Sequence, residues 1–181
     1  MGKITDALKK IKDDRFQQIQ KIQRKPEIQY VVKKVENTKI EPHIVSFHDP
    51  SSPIGEQYKI IRMNIQSLSK TKFYKTFVVT SSISGEGKTV TAVNLAVMMA
   101  HDLNNKNILL IDADLRKGKV AKYMGLNKSP GLSEILKGEV EPDATFVSPN
   151  IDNLTIIPSG KTPKNPAELL GSKKMKAVLE S

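Results

Sequence analysis

The sequence has no cysteine and no tryptophan, only three histidines, and aromatic residues at 5 % of its 181 positions. Without cysteine there is no disulfide scaffold, no thiolate zinc site and no cysteine nucleophile, a usage that fits a reducing compartment. His43, His48 and His101 are dispersed without metal-ligand spacing, and no role is assigned to them. So few aromatics leave no stacking platform for nucleic acid, and none is expected as a partner. The excess of 29 Lys and Arg over 19 Asp and Glu reads instead as a solvated surface, because it is spread along the chain: the first 48 residues hold 11 basic and 6 acidic side chains, the rest 18 and 13. Long apolar runs are missing too. Residues 92–100, the longest candidate, include Asn94 and reach about half the ~20 residues of a membrane span. The polar N-terminus has no signal-peptide core, and Asp6 stands where a myristoylation motif needs Ser or Thr. A cytoplasmic protein is expected.

What is present is enough for a packed domain, with 38 % hydrophobic and 27 % charged residues. Ile4, Leu8, Ile11, Ile19 and Ile22 recur at helical spacing and predict an amphipathic helix within residues 1–25. Residues 26–53, polar and Lys-rich with four prolines, read as an extended linker. Residues 54–181 alternate helices with short apolar strands, the pattern of an α/β layered fold. Helices are expected at 56–68, 88–101, 132–136 (capped by Gly138) and 166–179, and strands at 77–81, 108–112 and 154–158.

Between the first of those strands and its helix lies Ser82-Ile83-Ser84-Gly85-Glu86-Gly87-Lys88-Thr89. Glycines at 85 and 87 let backbone N–H groups curl around phosphate oxygens, and the helix start adds unpaired N–H groups and the positive end of its dipole. Lys88 brings a mobile charge to the outer phosphates and Thr89 a hydroxyl for Mg2+. Nucleotide contacts are expected from Ser84, Gly85, Glu86, Gly87, Lys88, Thr89 and Val90. Ser82 replaces the first glycine of the general phosphate-loop pattern, a small residue for a small one. The bland alternative is a Gly-rich turn that binds nothing, and Gly-Lys-Thr opening a helix after an apolar strand argues against it.

The next strand ends in Ile111-Asp112-Ala113-Asp114-Leu115-Arg116. An extended backbone would send Asp112 and Asp114 to one side and Ala113 to the other, at the sheet end where α/β folds bind ligands. Beside a nucleotide, such carboxylates hold metal-bound waters and accept the proton of an attacking hydroxyl. Arg116 would steady phosphate charge or pair with one of the acids. Taken alone, a strand end capping a turn explains the pair as well.

The phosphate loop followed by Ile108 to Arg116 resembles the bacterial tyrosine kinases of the CpsD/CapB group, which act in polysaccharide synthesis and export. Similar to that family are also Gly125-Leu126, Ser129-Pro130-Gly131-Leu132, Pro158-Ser159-Gly160 and Asn165-Pro166-Ala167-Glu168-Leu169-Leu170, and the opening helix resembles exosortase-associated members. The resemblance implies a P-loop NTPase fold, a mostly parallel sheet with helices on both faces. It further implies an autokinase that moves the ATP γ-phosphate to tyrosine, with Lys88, Asp112 and Asp114 catalytic and Thr89 and Asp112 on Mg2+. A membrane-embedded chain-length or export protein is the implied activator, which would bring a cytoplasmic kinase to the inner membrane face. Glu56 and Arg62 match two positions of the family's oligomerisation helix, with Lys59 in place of an Arg. The family continues with a further strand bearing an acidic motif and a tyrosine-rich tail, so a C-terminally truncated kinase domain is expected. Two other readings stand beside it: a ParA/MinD-type ATPase, disfavoured by Ile83 where that group has a signature Lys, and a nucleotide-binding module without kinase activity.

Overall fold

A computed structural model describes residues 32–72, 75–102, 107–128 and 130–180. The expected helix over 4–22 lies outside them. Four strands form one sheet in the order β1-β3-β4-β2, where β1 is Lys33–Lys34, β2 Ile108–Ile111, β3 Val147–Ser148 and β4 Leu154–Ile157. β2 runs parallel to β4 in the register Ile108↔Leu154 to Ile111↔Ile157, β1 runs parallel to β3, and only the β3–β4 pair is antiparallel. The α/β class and the mostly parallel sheet agree with the expectation.

Side-chain alternation along the paired strands builds two cores. On one face Leu154 and Ile156, with Ile108 and Leu110 packed beside them, meet Val93, Val97 and Ala100 of the helix Lys88–Ala100 and Val120 of the short helix Val120–Tyr123. On the other face Ile157 and Ile111 meet Leu132, Ile135 and Leu136 of the helix Leu132–Lys137, together with Leu115 and Phe146. The left-handed Gly138 ends that helix where the sequence placed its cap.

Three expectations are corrected. Residues 32–52 are not an extended linker: they contain β1 and the helical turn Val45–His48, and Ile40 and Ile44 are buried in the first core. Asn94, completely buried, ties this strap to the helix Lys88–Ala100. Its Oδ1 accepts the Ser46 N–H (2.8 Å), and its Nδ2 donates to the carbonyls of His43 (3.0 Å) and Val90 (2.9 Å). The strap's prolines and lysines mask two well-placed isoleucines, so its composition reads as linker while its packing does not. Residues 77–81 form no regular secondary structure and pair with no strand among the described residues, and Val78 is 84 % exposed. Strand-like composition fits a pleated, half-buried surface, and here no neighbouring edge supplies one. The last expected helix is two, Pro166–Leu170 and Lys173–Glu180, because the chain breaks at Gly171 and Ser172 Oγ accepts the Met175 N–H to cap the second.

The helix Pro53–Lys72 spans the expected 56–68 and packs on the helix Lys88–Ala100. Lys59 is ion-paired with Glu56 at 2.6 Å, while Arg62 donates from NH1 to the Met98 carbonyl at 3.3 Å, a cation at the C-terminal turn of the neighbouring helix. Gln66 adds a bond to Asp102 Oδ2.

Candidate nucleotide site

The phosphate loop is shaped by its two glycines. Gly85 and Gly87 have φ of +96° and +90°, left-handed conformations that a side chain resists, and open space lies where their Cβ atoms would be. Gly87 caps the helix Lys88–Ala100 without any side-chain hydrogen bond, so the first-turn N–H groups have no side-chain acceptor at the helix start. Ser84, Gly85 and Glu86 are exposed, and Gly87, Lys88, Thr89 and Val90 are half-buried. Within the loop Glu86 accepts the Ile83 N–H at 3.1 Å, and the Ser81 hydroxyl donates to the Ile83 carbonyl.

The acidic loop after β2 is tied down far more firmly. The Asp112 N–H donates to the Ile157 carbonyl at 2.9 Å and so extends the β2–β4 ladder one residue past the strand. Its side chain, 5 % exposed, accepts the Asp114 N–H on Oδ1 (3.2 Å) and the Val120 N–H on Oδ2 (3.1 Å), spanning the loop like a staple. Burial pushes the Asp112 carboxyl above the ordinary 3.8; the Val120 and Asp114 N–H groups pull against that rise, the Asp114 charge adds to it, and Lys128 opposes it. Asp114 is different. Burial alone would raise it, but the Lys117 N–H (2.9 Å), the Lys88 ammonium and the Arg116 N–H outweigh that, and the carboxyl is held below its ordinary range.

The two motifs meet. Lys88 Nζ lies 3.5 Å from Asp114 Oδ2, so the phosphate-loop lysine and the second acid of the Asp-x-Asp sequence share one site. Ala113 and Arg116 are exposed, Asp112 is buried, and the ion pair of Asp114 is with Lys88. The donor chemistry suits a nucleotide with Mg2+. Main-chain N–H groups and an ammonium match phosphate oxygens, and the Thr89 hydroxyl and the two carboxylates are hard oxygen ligands of the kind Mg2+ takes alongside water and phosphate. Among the described residues no trio of His, Cys, Asp or Glu could hold an ion unaided. The best-formed hollows, of about 170 and 180 Å³, flank β1 and include none of these residues.

Sequence reasoning missed the second layer of the site. Glu134, 5 % exposed, accepts the Gly131 N–H (2.8 Å), the Lys161 N–H (3.0 Å) and the Ser133 hydroxyl (3.2 Å), tying the helix Leu132–Lys137 to the segment after β4. Ser133 Oγ also lies 2.6 Å from the Lys161 carbonyl. The spacing Gly131-x-x-Glu134 is the one signal that pointed to this cap. Gly118 and Ser159 stand against Asp112; Ser159 lies in the Pro158-Ser159-Gly160 segment that resembles the family, while no local pattern marks Gly118.

Comparison with known proteins places this arrangement. A family model described as an AAA domain matches residues 74–181. The chain is 38 % identical over 147 residues to the tyrosine-protein kinase YwqD of Bacillus subtilis (strain 168), covering 81 % of this chain and 61 % of YwqD. Among solved structures, the BceF tyrosine kinase domain superposes with a TM-score of 0.69 at 33 % identity, covering 76 % of this chain and 54 % of that one. The kinase domain of the Escherichia coli tyrosine kinase ETK superposes with a TM-score of 0.68 at 28 % identity, covering 81 % and 56 %. The chain thus spans between half and two thirds of the length of these three proteins. It belongs to the AAA domain family, on a nucleotide-binding P-loop fold, and its relatives are bacterial tyrosine-protein kinases.

Proposed function

We propose that this chain is the nucleotide-binding part of a cytoplasmic protein-tyrosine kinase that transfers the γ-phosphate of ATP to tyrosine, in the synthesis and export of a polysaccharide. The observation that carries the reading is the approach of Lys88 to Asp114 at 3.5 Å, which joins a phosphate-binding lysine to an acid at the end of a parallel strand pair. A phosphate loop alone serves many NTPases; the acidic loop beside it and the similarity to YwqD favour the kinase.

In this reading the N–H groups of Ser84 to Val90 cradle the phosphates, and Lys88 turns from Asp114 to the β- and γ-oxygens. Asp114, released from its ion pair, accepts the proton of the tyrosine hydroxyl as that oxygen attacks the γ-phosphorus and the bond to the leaving ADP oxygen breaks. The Lys117 and Arg116 N–H groups still favour its ionised form once Lys88 has turned away. Thr89 and Asp112 would hold Mg2+, Asp112 with the lone pairs that its two accepted main-chain N–H groups leave over. The ion supplies charge neutralisation on the transferring phosphoryl group. Self-association would use the exposed side of the helix Pro53–Lys72, where Ile54, Ile60 and Met63 face solvent; Arg62 is engaged within the chain. A membrane-embedded export protein fits as the activator on the strength of the family resemblance.

The test is to incubate the purified chain with ATP and Mg2+, with and without a membrane activator, and to probe for phosphotyrosine. Signal that disappears in Lys88→Met supports the reading. Nucleotide binding with persistent silence favours a binding module without kinase activity, and equal nucleotide affinity in Lys88→Met and the parent refutes the assignment of the loop.

A further inference from the structure

Ser159 is 1 % exposed, and its hydroxyl is buried without a hydrogen-bond partner. A buried hydroxyl left unpaired costs about 1–3 kcal/mol, and native folds rarely leave one so. The backbone around it is fixed from three directions. The Leu132 N–H donates to the Pro158 carbonyl (2.7 Å), the Ser133 N–H to the Ser159 carbonyl (3.1 Å), and the Gly160 N–H to the Lys128 carbonyl (3.1 Å). The side chain therefore has little freedom beyond its own rotamer, and it is aimed at the acidic loop. Gly118 shows where: a Cβ there would overlap the Ser159 hydroxyl and come within 2.7 Å of Asp112 Oδ2, so the two oxygens converge on one point that only glycine leaves clear.

Resting on the nucleotide-binding reading above, we propose that Ser159 is a positioning residue for Asp112, its hydroxyl donating to Oδ2 when a hydrated divalent ion and nucleotide occupy the loop. Each Asp112 oxygen already accepts one main-chain N–H, which fixes the carboxylate's plane but leaves lone pairs over. A hydroxyl held by the segment after β4 fills one of these and leaves the rest to face the waters of the ion. Gly118 is the companion device, keeping the path between them empty. Positioning of this kind acts on the ion and hardly on the phosphates, which bind to the loop of residues 84–90.

The experiment uses the full chain, a fluorescent ATP analogue and a titration of Mg2+, with Ser159→Ala, Ser159→Cys, Asp112→Asn and the double variants. Cysteine fills the site with a somewhat larger atom that donates only weakly. The expected result is that Ser159→Ala and Ser159→Cys each raise the Mg2+ concentration for half-maximal binding about tenfold, as befits a hydrogen bond to a charged group. Metal-free nucleotide affinity should change less than about twofold, and neither substitution should matter further in the Asp112→Asn background. The proposal is overturned if Ser159→Cys behaves as the parent, which would make the role one of packing, or if the shift persists with Asn at position 112. A parent chain with no Mg2+-dependent binding refutes the nucleotide reading and this inference together, whereas intact binding in the parent and an unchanged midpoint in both Ser159 variants refutes this inference alone.

Discussion

Residues 82–87 and residues 112–120 both follow an apolar segment and both lead into a helix, yet they are held in opposite ways. The second segment begins on a strand paired along its length with β4, and its loop closes over a buried carboxylate. The first begins on residues 77–81, which pair with no strand among the described residues, and its loop is exposed at residues 82–86, with the Ile83 bonds to Glu86 and Ser81 as its local ties. Where the sheet supplies a neighbour, the acid is pinned; where it does not, the phosphate loop depends on its glycines and on the helix it opens. The acidic half is thus organised by the chain's own hydrogen bonds, while the loop of residues 82–87 has far fewer of them to fix it.

The largest effect is expected from deletions in the paired half. Ile156 is fully buried on the central strand, and Ile156→Ala should cost about 2–5 kcal/mol in a chemical-denaturation measurement. A loss below 1 kcal/mol would show that the sheet core relaxes freely and would remove the contrast between the halves.

A smaller loss, about 2–3 kcal/mol at neutral pH, is expected for Glu134→Gln, since an amide cannot serve as acceptor to both main-chain N–H groups and the Ser133 hydroxyl with the strength of a carboxylate. Here the pH dependence adds a sign. Burial alone would raise the Glu134 carboxyl, but the N–H groups of Lys161 and Gly131 and the Ser133 hydroxyl hold it below the ordinary 4.5. Its stabilisation is therefore complete above about pH 4.5 and is lost as pH falls through the lower folded value. Asp112, raised above 3.8, works against folding as pH rises, so it cannot produce that acid loss. The parent's stability should fall in that window more steeply than the variant's, and parallel curves would show that Glu134 is not the group responsible.

For Asn94→Ala about 2 kcal/mol is expected, together with faster amide exchange at Ser46, whose N–H loses its acceptor. Unchanged exchange there would mean that the strap is held by Ile40 and Ile44 alone. This strap marks the limit of what the sequence revealed. The phosphate loop, Asp112 and Asp114 were legible because each motif is local: a few consecutive residues carry both the backbone geometry and the chemistry. Helices such as Leu132–Lys137 were legible from their periodicity and caps. Asn94 read only as a polar interruption of an apolar run, because two of its three partners lie about 50 positions earlier in the chain. Gly118 was silent for the same reason, and Ser159 was legible only as part of a family-like segment, since what makes them matter is the meeting of two strand ends. Residues 77–81 misled in the other direction: their β-rich composition is real, but pairing is a property of neighbours that a short run does not encode.

The smallest effect is the one that sharpens the comparison most. Val78 is 84 % exposed within an unpaired segment, so Val78→Ala removes almost no buried surface and should change stability by less than about 0.5 kcal/mol. The same two-methyl deletion in a paired strand costs several times as much, which makes the pair of measurements a direct reading of whether residues 77–81 have joined a sheet. Adding a nucleotide with Mg2+ should leave the Val78 value small, because the phosphates bind the loop beyond Ser81 and give Val78 no apolar partner. A cost of 2 kcal/mol or more in the free chain would place Val78 in a packed strand and overturn the picture of two unequal halves. If that cost appeared only with nucleotide bound, it would show instead that ligand binding recruits residues 77–81 into the sheet.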